Sequence, residues 1–232
     1  MKIYSISDLH LSINNPKPMD IFGPIWDNYL DEIISDWKSK VTDEDVVLIA
    51  GDISWAMKFE DAKPDIDLIS SLPGKKIMIR GNHDYWWKSI SAVRSLLGKD
   101  FYALQNDHVC IGDYIFCGTR GWQVPDKFQS KDDEKIFKRE IIRLQLSLKS
   151  AKKEQEKLGN KRIICLIHYP PFNSRFQESE FTKLFKQYDV SAVVYGHIHG
   201  KSSRCKKLIE INNIPYYLTS CDQIENKLIE IL

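Results

Sequence analysis

Residues 191–199 read SAVVYGHIH, a short apolar run that ends in Gly196, His197 and His199. The run is too short for a helix, and its apolar residues do not alternate with polar ones. Both properties are typical of a β-strand that is buried on both faces. Ligand sites in open α/β sheets lie beyond the carboxyl ends of such strands. This stretch therefore predicts a buried strand that delivers two histidines to a site at one edge of a sheet.

Four other apolar runs have the same form, and each of them ends in polar residues. The runs are Ile3–Ser7, Val46–Ala50, Lys76–Arg80 and Ile163–Ile167, and the polar residues that follow them include Asp8, His10, Asp52, Asn82, His83 and His168. Together the five strand ends would bring two aspartates, one asparagine and five histidines to one edge. The sixth histidine, His108, lies outside these motifs, and we interpret it as a surface or core residue.

Further strands are indicated by shorter runs, several of which alternate between apolar and polar residues. These runs are Phe101–Leu104, Val109–Ile111, Tyr114–Cys117, Leu208–Ile211, Pro215–Thr219 and Lys227–Ile231. Two of them flank Gly112-Asp113 with the spacing of a hairpin. The hairpins favour a mixed sheet, or two sheets, over a single parallel one.

Helices are predicted between the strands. An amphipathic stripe runs from Trp26 to Trp37, and a long charged helix is expected over Asp132–Leu158. A third helix is expected over Tyr85–Leu97, where Asp84 is interpreted as the N-cap, with orientation of His83 as the alternative role. Strands that alternate with helices indicate an α/β protein, and we expect one domain over residues 1–232.

The composition excludes several classes of protein. The 33 Lys and Arg residues and the 32 Asp and Glu residues give a net charge of +1, so strong nucleic-acid binding by phosphate neutralisation is not expected. The 5 cysteines contain no C-x-x-C pair, which argues against a disulfide framework or a thiolate zinc site, and we interpret them as buried thiols. No apolar run approaches the roughly 18 residues of a membrane span, and the N-terminus does not resemble a signal peptide. A soluble, cytoplasmic protein is expected.

The polar side chains at the strand ends have the chemistry of a metal site. Imidazole and carboxylate ligands without thiolates suit Mn, Fe, Zn or Co better than Ca or Mg. The candidate ligands exceed what one such ion holds and suffice for two if Asp52 bridges; they are Asp8, His10, Asp52, Asn82, His168, His197 and His199. Two ions with a bridging hydroxide would leave a small positive charge that favours a phosphate, and such pairs promote in-line displacement. Hydrolysis at phosphorus is therefore predicted.

These motifs also carry a resemblance to a known family. The blocks Asp8-x-His10, Gly51-Asp52, Gly81-Asn82-His83-Asp84, His168 and Gly196-His197-x-His199 resemble, in order and approximate spacing, those of the calcineurin-like metallophosphoesterase superfamily. The resemblance covers residues 8–199. It implies a four-layer α/β/β/α sandwich of two mixed β-sheets flanked by helices.

The resemblance also implies roles for individual residues. One metal ion would be bound by Asp8, His10, Asp52 and His199, and the other by Asp52, Asn82, His168 and His197. The resemblance assigns a catalytic role to His83, and also to Asp52 and Asn82, which are metal ligands as well. That histidine would contact the phosphate and protonate the leaving oxygen.

Three residues near the motifs are candidates for contact with the substrate. Arg120 lies between glycines in a loop, which suits a phosphate-binding guanidinium. Trp55 and Trp122 could stack on a base or an aryl group, although packing at the rim of the domain is the more ordinary role. Arg80 could approach a phosphate or serve a structural ion pair. The segments 14–24 and 123–158 are interpreted as additions that form a rim or partial cap around the site.

The sequence thus predicts a dinuclear-metal-dependent phosphoesterase that hydrolyses a phosphate mono- or diester by attack of a metal-bridging hydroxide. A nucleotide-type phosphodiester or pyrophosphate hydrolase is one alternative, and a noncatalytic scaffold of the same fold is another. The expected cofactors are two divalent or trivalent metal ions, with Mn, Fe or Zn favoured. The expected partner is a phosphorylated small molecule or nucleotide-like substrate, with no membrane, and the sequence leaves the oligomeric state open.

Overall fold

A computed structural model describes residues 1–125, 130–200 and 206–231. The strands in these ranges are β1 (Ile3–Ser5), β2 (Val46–Ile49), β3 (Lys75–Met78), β4 (Phe101–Ala103), β5 (His108–Ile111), β6 (Tyr114–Thr119), β7 (Arg162–Ile167), β8 (Val190–Tyr195), β9 (Leu208–Ile211), β10 (Ile214–Leu218) and β11 (Ile229–Glu230). The α-helices are α1 (Tyr29–Lys40), α2 (Lys63–Ser71), α3 (Ile90–Leu96), α4 (Lys131–Leu158) and α5 (Glu180–Gln187). Short 3₁₀ helices cover Asp20–Phe22, Pro24–Trp26 and Glu60–Ala62.

The strands form two mixed sheets. The first has the order β11-β1-β2-β3-β4, in which β1 to β4 are parallel and β11 is antiparallel to β1. The second has the order β5-β6-β7-β8-β10-β9, in which β6, β7, β8 and β10 are parallel and the two edge strands are antiparallel. The pair that was predicted as a hairpin around Gly112-Asp113, β5–β6, supplies one antiparallel edge of the second sheet, and β9–β10 supplies the other.

Three apolar clusters separate four layers. One cluster fills the space between the sheets, where Leu48 and Ile77 of the first sheet meet Ile164 and Val194 of the second. A second cluster packs α1, α2 and α3 on the outer face of the first sheet, with Trp37 fully buried. The third packs α4 and α5 on the outer face of the second sheet. The predicted sandwich of two mixed sheets flanked by helices is confirmed. Apolar and polar residues do not alternate in the strands that are buried on both faces, such as β2 and β7.

The long charged helix is part of this layering. Its buried residues include Phe137, Leu144, Leu148 and Ala151, which belong to the cluster on the second sheet. Most of α4 is therefore an outer layer of the sandwich and does not lie over the site. The prediction that 14–24 and 123–158 restrict the size of the substrate stays a prediction, and so does the single domain.

The helix expected over Tyr85–Leu97 starts later than predicted. α3 begins at Ile90, and its N-cap is Ser89, whose Oγ accepts the N–H of Ala92 at 3.3 Å. The prediction that Asp84 caps this helix was wrong because the Asp84 carboxylate binds the backbone of other loops. Residues 85–89 form a turn and a loop segment instead.

The cysteines follow the prediction with one exception. Cys117, Cys165 and Cys221 are free and buried, whereas Cys110 is free and exposed. The prediction of a buried thiol was wrong for Cys110, because this residue lies on the edge strand β5, whose residues are partly or fully exposed to solvent. Cys205 lies outside the described residues. Within the described ranges, no helix has both the length and the apolar character that are needed to cross a bilayer.

Candidate metal centre

The loops that follow β1, β2, β3, β7 and β8 meet at one edge of the sandwich. The N–H of Ser7 donates to Thr219 O at 2.7 Å, and this bond joins the loop after β1 to the loop after β10. The Ser7 hydroxyl accepts the N–H of Ala50 at 2.9 Å, which holds the end of β2 beside the end of β1. The N–H of Gly196 donates to His168 O at 3.1 Å, which joins the ends of β7 and β8. These bonds bring the carboxyl ends of both sheets to a single site.

The backbone at the site is not extended. The values of φ are 59° at Asp8, 47° at His10, 52° at Asp52 and 72° at His197. In extended backbone the two side chains of a D-x-H or H-x-H pair would point the same way, but these positive φ values show that the pairs are not extended. Residues other than glycine adopt this left-handed region rarely, and only where neighbouring contacts stabilise it. Here the N–H of Asp8 donates to Gly51 O at 3.0 Å and that of His10 donates to Asp52 O at 3.1 Å.

Two motif glycines allow the ligand side chains to approach the backbone closely. A Cβ atom at Gly81 would lie 2.1 Å from Asp52 Oδ1, and one at Gly196 would lie 2.2 Å from Asp8 Oδ2. Both distances are far below van der Waals contact, so any larger residue would displace a carboxylate of the site. The glycines in these motifs are required by this close packing.

A first group of potential ligands contains Asp8, His10 and His199, whose ligand atoms all lie within 4.8 Å of one another. The Nε2 atoms of His10 and His199 are 3.5 Å apart, and His199 Nε2 lies 3.4 Å from Asp8 Oδ1. Asp8 is fully buried, and both of its carboxylate oxygens accept the N–H of His197, at 3.0 and 3.1 Å. The carboxylate is thereby fixed in place between the two histidines.

A second group surrounds Asn82. Its Oδ1 lies 2.6 Å from His168 Nε2 and 2.8 Å from His197 Nδ1. The other ring nitrogen of His168, Nδ1, donates to Ala50 O at 2.9 Å. A histidine whose second nitrogen is bonded to a carbonyl has the arrangement that is usual for a metal ligand.

Asp52 lies between the two groups. Its Oδ2 is 3.5 Å from His168 Nε2 and 3.9 Å from His10 Nε2, and this buried oxygen has no hydrogen-bond partner among the described residues. Its other oxygen accepts the N–H of His83 at 2.8 Å. Asp8 also groups with Asp52 and His168 within 4.8 Å, so both carboxylates are near both groups. The unpartnered Oδ2 makes Asp52 the better candidate for a shared ligand.

The electrostatics of the site favour a bound cation. Burial raises the pKa of Asp52 to about 7, and the charges of Asp8 and Asp84 add to this effect against the opposing charge of His168. Burial lowers the pKa of His10 to about 3 and that of His197 to about 3, so both imidazoles are neutral and can ligate. Crowded carboxylates, neutral imidazoles and an unpartnered buried oxygen all fit metal ions at this site.

Comparison with known proteins agrees with this geometry. A family model described as calcineurin-like phosphoesterase matches residues 1–201. The chain belongs to this family.

Solved structures support the fold assignment. The chain is similar to the protein of unknown function AQ665 from Aquifex aeolicus, with 14% identity over 99% of this chain and 95% of that one and a TM-score of 0.53. It is also similar to TT1561 of Thermus thermophilus, with 13% identity over 99% of this chain and 97% of that one and a TM-score of 0.63. At these identities the likeness shows the fold alone. A comparison with curated proteins found no match.

Calcineurin-like phosphoesterases are in general metal-dependent and use a dinuclear metal centre, although some members are non-catalytic. In this member, the residues that could hold metal ions lie on the loops after β1, β2, β7 and β8. The family therefore supports a metal-dependent phosphoesterase, and the grouped side chains supply positions for the metal.

His83 and Trp55 lie beside the first group of ligands. The Trp55 ring stacks on His10 with centroids 4.6 Å apart and an interplanar angle of 20°, and it lies 4.6 Å from the His83 ring. Lys17 Nζ sits 4.6 Å from the centroid of the same indole. Burial lowers the pKa of His83, and the charge of His168 adds to the effect. The indole thus packs against two motif histidines, and its stacking on a substrate stays a prediction.

Arg120 and Trp122 are grouped with each other and not with the ligands. The Arg120 guanidinium carbon lies 5.0 Å from the centroid of Trp122, and its Nη2 lies 3.6 Å from Glu140. The backbone of Arg120 contacts a ligand loop, since its carbonyl accepts the N–H of His168 at 3.0 Å. His108 bonds to Ser150 at 2.8 Å and lies on β5, outside the ligand groups.

Asp84 connects two of the ligand loops. Its carboxylate is fully buried and accepts four backbone N–H groups and one indole N–H. The backbone donors belong to residues 52, 53 and 54 after β2 and to Gly81 after β3. Asp84 therefore fixes the loop of Asp52 relative to that of Asn82.

Asp222 is a site residue that the sequence reasoning missed. Its Oδ1 accepts a hydrogen bond from His199 Nδ1 at 2.8 Å. Burial opposes protonation of His199, but hydrogen bonds to Asp222 and Asp8 raise its pKa to about 10. The same signal that identified the ligands could have found Asp222, because it follows the parallel strand β10 just as His197 follows β8.

Proposed function

We propose that this protein hydrolyses phosphate mono- or diesters with two metal ions bound at the ends of β1, β2, β3, β7 and β8. One ion would be held by Asp8, His10, Asp52 and His199. The other would be held by Asp52, Asn82, His168 and His197. Mn, Fe or Zn suits these imidazole and carboxylate ligands. The family supports a metal-dependent phosphoesterase in general, and this proposal adds the metal ligands and the class of reaction.

The observation that carries the proposal is the position of Asp52. Its Oδ2 is buried and unpartnered among the described residues and faces one histidine of each group. A buried carboxylate oxygen without a partner destabilises the folded protein unless a cation binds to it. One carboxylate shared between two sets of imidazole ligands is the arrangement that a pair of metal ions requires.

The chain's own residues supply orientation and proton transfer. When bound, a pair of metal ions lowers the pKa of a coordinated water and stabilises negative charge on phosphate oxygens. The Asn82 amide presents its oxygen to His168 and His197, so its N–H group is available to donate to a phosphate oxygen. The ring of His83 has a buried Nδ1 with no partner among the described residues. His83, whose backbone N–H donates to Asp52 at 2.8 Å, would donate a proton to the leaving oxygen.

Substitution of Asp52 tests the metal-dependent reaction. Asp52→Asn should reduce bound metal and should lower kcat/KM on p-nitrophenyl phosphate in the presence of Mn by at least about 10²-fold. Asp67→Asn is a matched control, because Asp67 is an exposed carboxylate on α2 that pairs with Lys63 on the same helix. Metal content is measured by plasma emission spectrometry. Full activity of metal-free Asp52→Asn would refute the proposal, as would a wild-type protein that binds metal but hydrolyses no ester.

Substitution of His83 distinguishes a catalytic role of this residue from a role as a metal ligand. His83→Asn should lower kcat by about 10²–10⁴-fold while metal content remains near that of the wild type. Rates on p-nitrophenyl phosphate and on bis-p-nitrophenyl phosphate then show whether monoesters or diesters are preferred. An unchanged kcat in His83→Asn on both substrates would contradict the assigned proton donor.

A further inference from the structure

A second cavity, of about 200 Å³, opens at the same edge of the sandwich and is not used by the proposed reaction. Its wall contains Arg80 from the end of β3, Arg120 from the end of β6, and Arg143 and Glu140 from α4. We call this cavity the basic pocket. Arg80 immediately precedes the Gly81-Asn82 motif, so the pocket adjoins the metal centre in the chain as well as in space.

The basic pocket has an excess of positive charge. Among the described residues that line it, the one carboxylate is Glu140, which is fully buried and accepts hydrogen bonds from Thr119 Oγ1 at 2.9 Å and Arg143 Nη1 at 2.8 Å. Arg120 Nη2 approaches the same carboxylate at 3.6 Å. Three lining guanidinium groups therefore face one carboxylate. Lys88, at the edge of the cavity, is already paired with Glu60 on the surface at 3.1 Å.

Two of the arginines have unused donors. The Nε atoms of Arg80 and Arg120 are buried and have no hydrogen-bond partner in the part of the chain that the structure describes. An unpaired buried donor destabilises a protein, and the cost is larger for a charged group. The guanidinium fork matches the geometry of phosphate and carboxylate groups. An anion in the basic pocket would satisfy these donors and offset the excess charge.

The basic pocket is close to the metal centre. Tyr169 lies between them, because its ring is 4.1 Å from that of His197 on one side and 5.2 Å from that of Trp122 on the other. Trp122 is in turn the ring beneath the Arg120 guanidinium. Two packed rings therefore join the Arg120 guanidinium to the metal-centre residue His197.

We propose that the basic pocket binds a second phosphate or carboxylate group of the substrate, so that the preferred substrate is a phosphate ester with two anionic groups. This inference rests on the proposed phosphoesterase function for its substrate assignment, but anion binding in the pocket can be measured without it. No covalent step is involved, because the pocket only orients the substrate.

The first experiment measures anion binding to metal-free protein. Inorganic phosphate is titrated into the wild type in excess EDTA by isothermal calorimetry, and binding is expected. Arg80→Gln and Arg143→Gln should each weaken it by about tenfold or more, which is the loss of one charge-assisted hydrogen bond. Arg80→Lys, which keeps the charge, should lose less than Arg80→Gln. Absence of binding, or binding that is insensitive to these substitutions, would overturn the proposal.

Arg139→Gln is the matched control. Arg139 also approaches Glu140, at 3.7 Å, but its side chain is 52% exposed and does not line the pocket. This variant should bind phosphate as the wild type does. Thermal unfolding of every variant shows that each one is folded, and an equal loss of binding in Arg139→Gln would overturn the assignment to the pocket.

The second experiment tests the substrate assignment with the Mn-loaded protein. Release of phosphate is compared for fructose 1,6-bisphosphate and fructose 6-phosphate. Arg80→Gln and Arg143→Gln should raise KM for the bisphosphate about tenfold more than KM for the monophosphate. An equal change in both would show that the pocket binds free anions only, which overturns the substrate assignment. Phosphate binding without hydrolysis of any ester would instead refute the proposed function, and the substrate assignment with it.

Discussion

Replacement of Asp84 by asparagine removes a charge from the residue that joins two ligand loops without changing its size. Asp84 Oδ2 accepts the N–H groups of Gly81 at 2.7 Å and Asp52 at 3.0 Å. Its Oδ1 accepts those of Ile53 at 2.9 Å and Ser54 at 3.2 Å, and also the indole N–H of Trp86 at 2.9 Å. An asparagine retains only one oxygen, and its NH₂ group cannot accept.

The magnitude follows from the donors that lose their acceptor. Whichever way the amide of Asp84→Asn is oriented, at least two buried N–H groups are left without a partner. Each unsatisfied buried donor costs about 1–3 kcal/mol, so the substitution should destabilise the protein by about 2–6 kcal/mol. That is a large part of a typical stability of about 5–15 kcal/mol.

Urea unfolding of metal-free protein, followed by tryptophan fluorescence, measures this loss. Asp67→Asn makes the same chemical change at an exposed carboxylate and should change stability by less than about 0.5 kcal/mol. Mn binding to Asp84→Asn should also weaken, because the position of Asp52 relative to Asn82 is no longer fixed. A stability of Asp84→Asn within about 0.5 kcal/mol of the wild type would refute this account of the buried carboxylate. If Asp84→Asn does not accumulate as folded protein while Asp67→Asn does, the expected direction holds.

Three further predictions follow from the structure. Asp222→Asn should weaken binding of one Mn ion by about 10–100-fold, because His199 Nδ1 loses its carboxylate acceptor, and calorimetry showing two unchanged affinities would contradict this role. Burial favours the protonated form of Asp45, but hydrogen bonds from the Lys2 and Thr42 N–H groups outweigh it and hold its pKa below 3.8. This stabilisation is present above the pKa of Asp45 in the unfolded chain and is lost as the pH falls through its pKa in the folded protein. Asp45→Asn should therefore be less stable than the wild type at pH 7, and its stability should depend less on acid. Equal stability of the two proteins at pH 7 would contradict this role of Asp45. Mn at 100 times its Kd should stabilise the wild type by about 2.7 kcal/mol, and a melting temperature that is the same in Mn and in EDTA would show that no metal is bound.

The strand ends show how far local sequence reasoning reaches. The apolar runs before Asp8, Asp52 and His168 identified buried strands correctly, because a strand covered on both faces leaves no reason for alternation. The observed ends of these strands differ from the predicted ends by at most two residues. The chemistry of the ligands could be read directly, since it depends only on residue type and order.

The same reasoning failed where a side chain bonds to a distant loop. Asp84 looks like an N-cap because it precedes a helical segment, yet its acceptors are used by backbone N–H groups 30 to 32 residues away. The local sequence does not indicate the left-handed backbone at Asp8 and His10, which contacts with the loop after β2 stabilise. Neither contact leaves a local pattern in the sequence.

The sequence by itself determined which residues end the buried strands and therefore which ligands the site contains, because parallel strands bring their carboxyl ends to one edge. Only the tertiary structure decided how those residues are paired and supported. Asp222 reaches His199 because β10 pairs with β8 in the second sheet. Arg80 and Arg120 line one cavity because the two sheets pack face to face and bring the ends of β3 and β6 together. Such pairings depend on the order and register of strands across two sheets, and this information lies in long-range contacts and not in any local stretch of the chain.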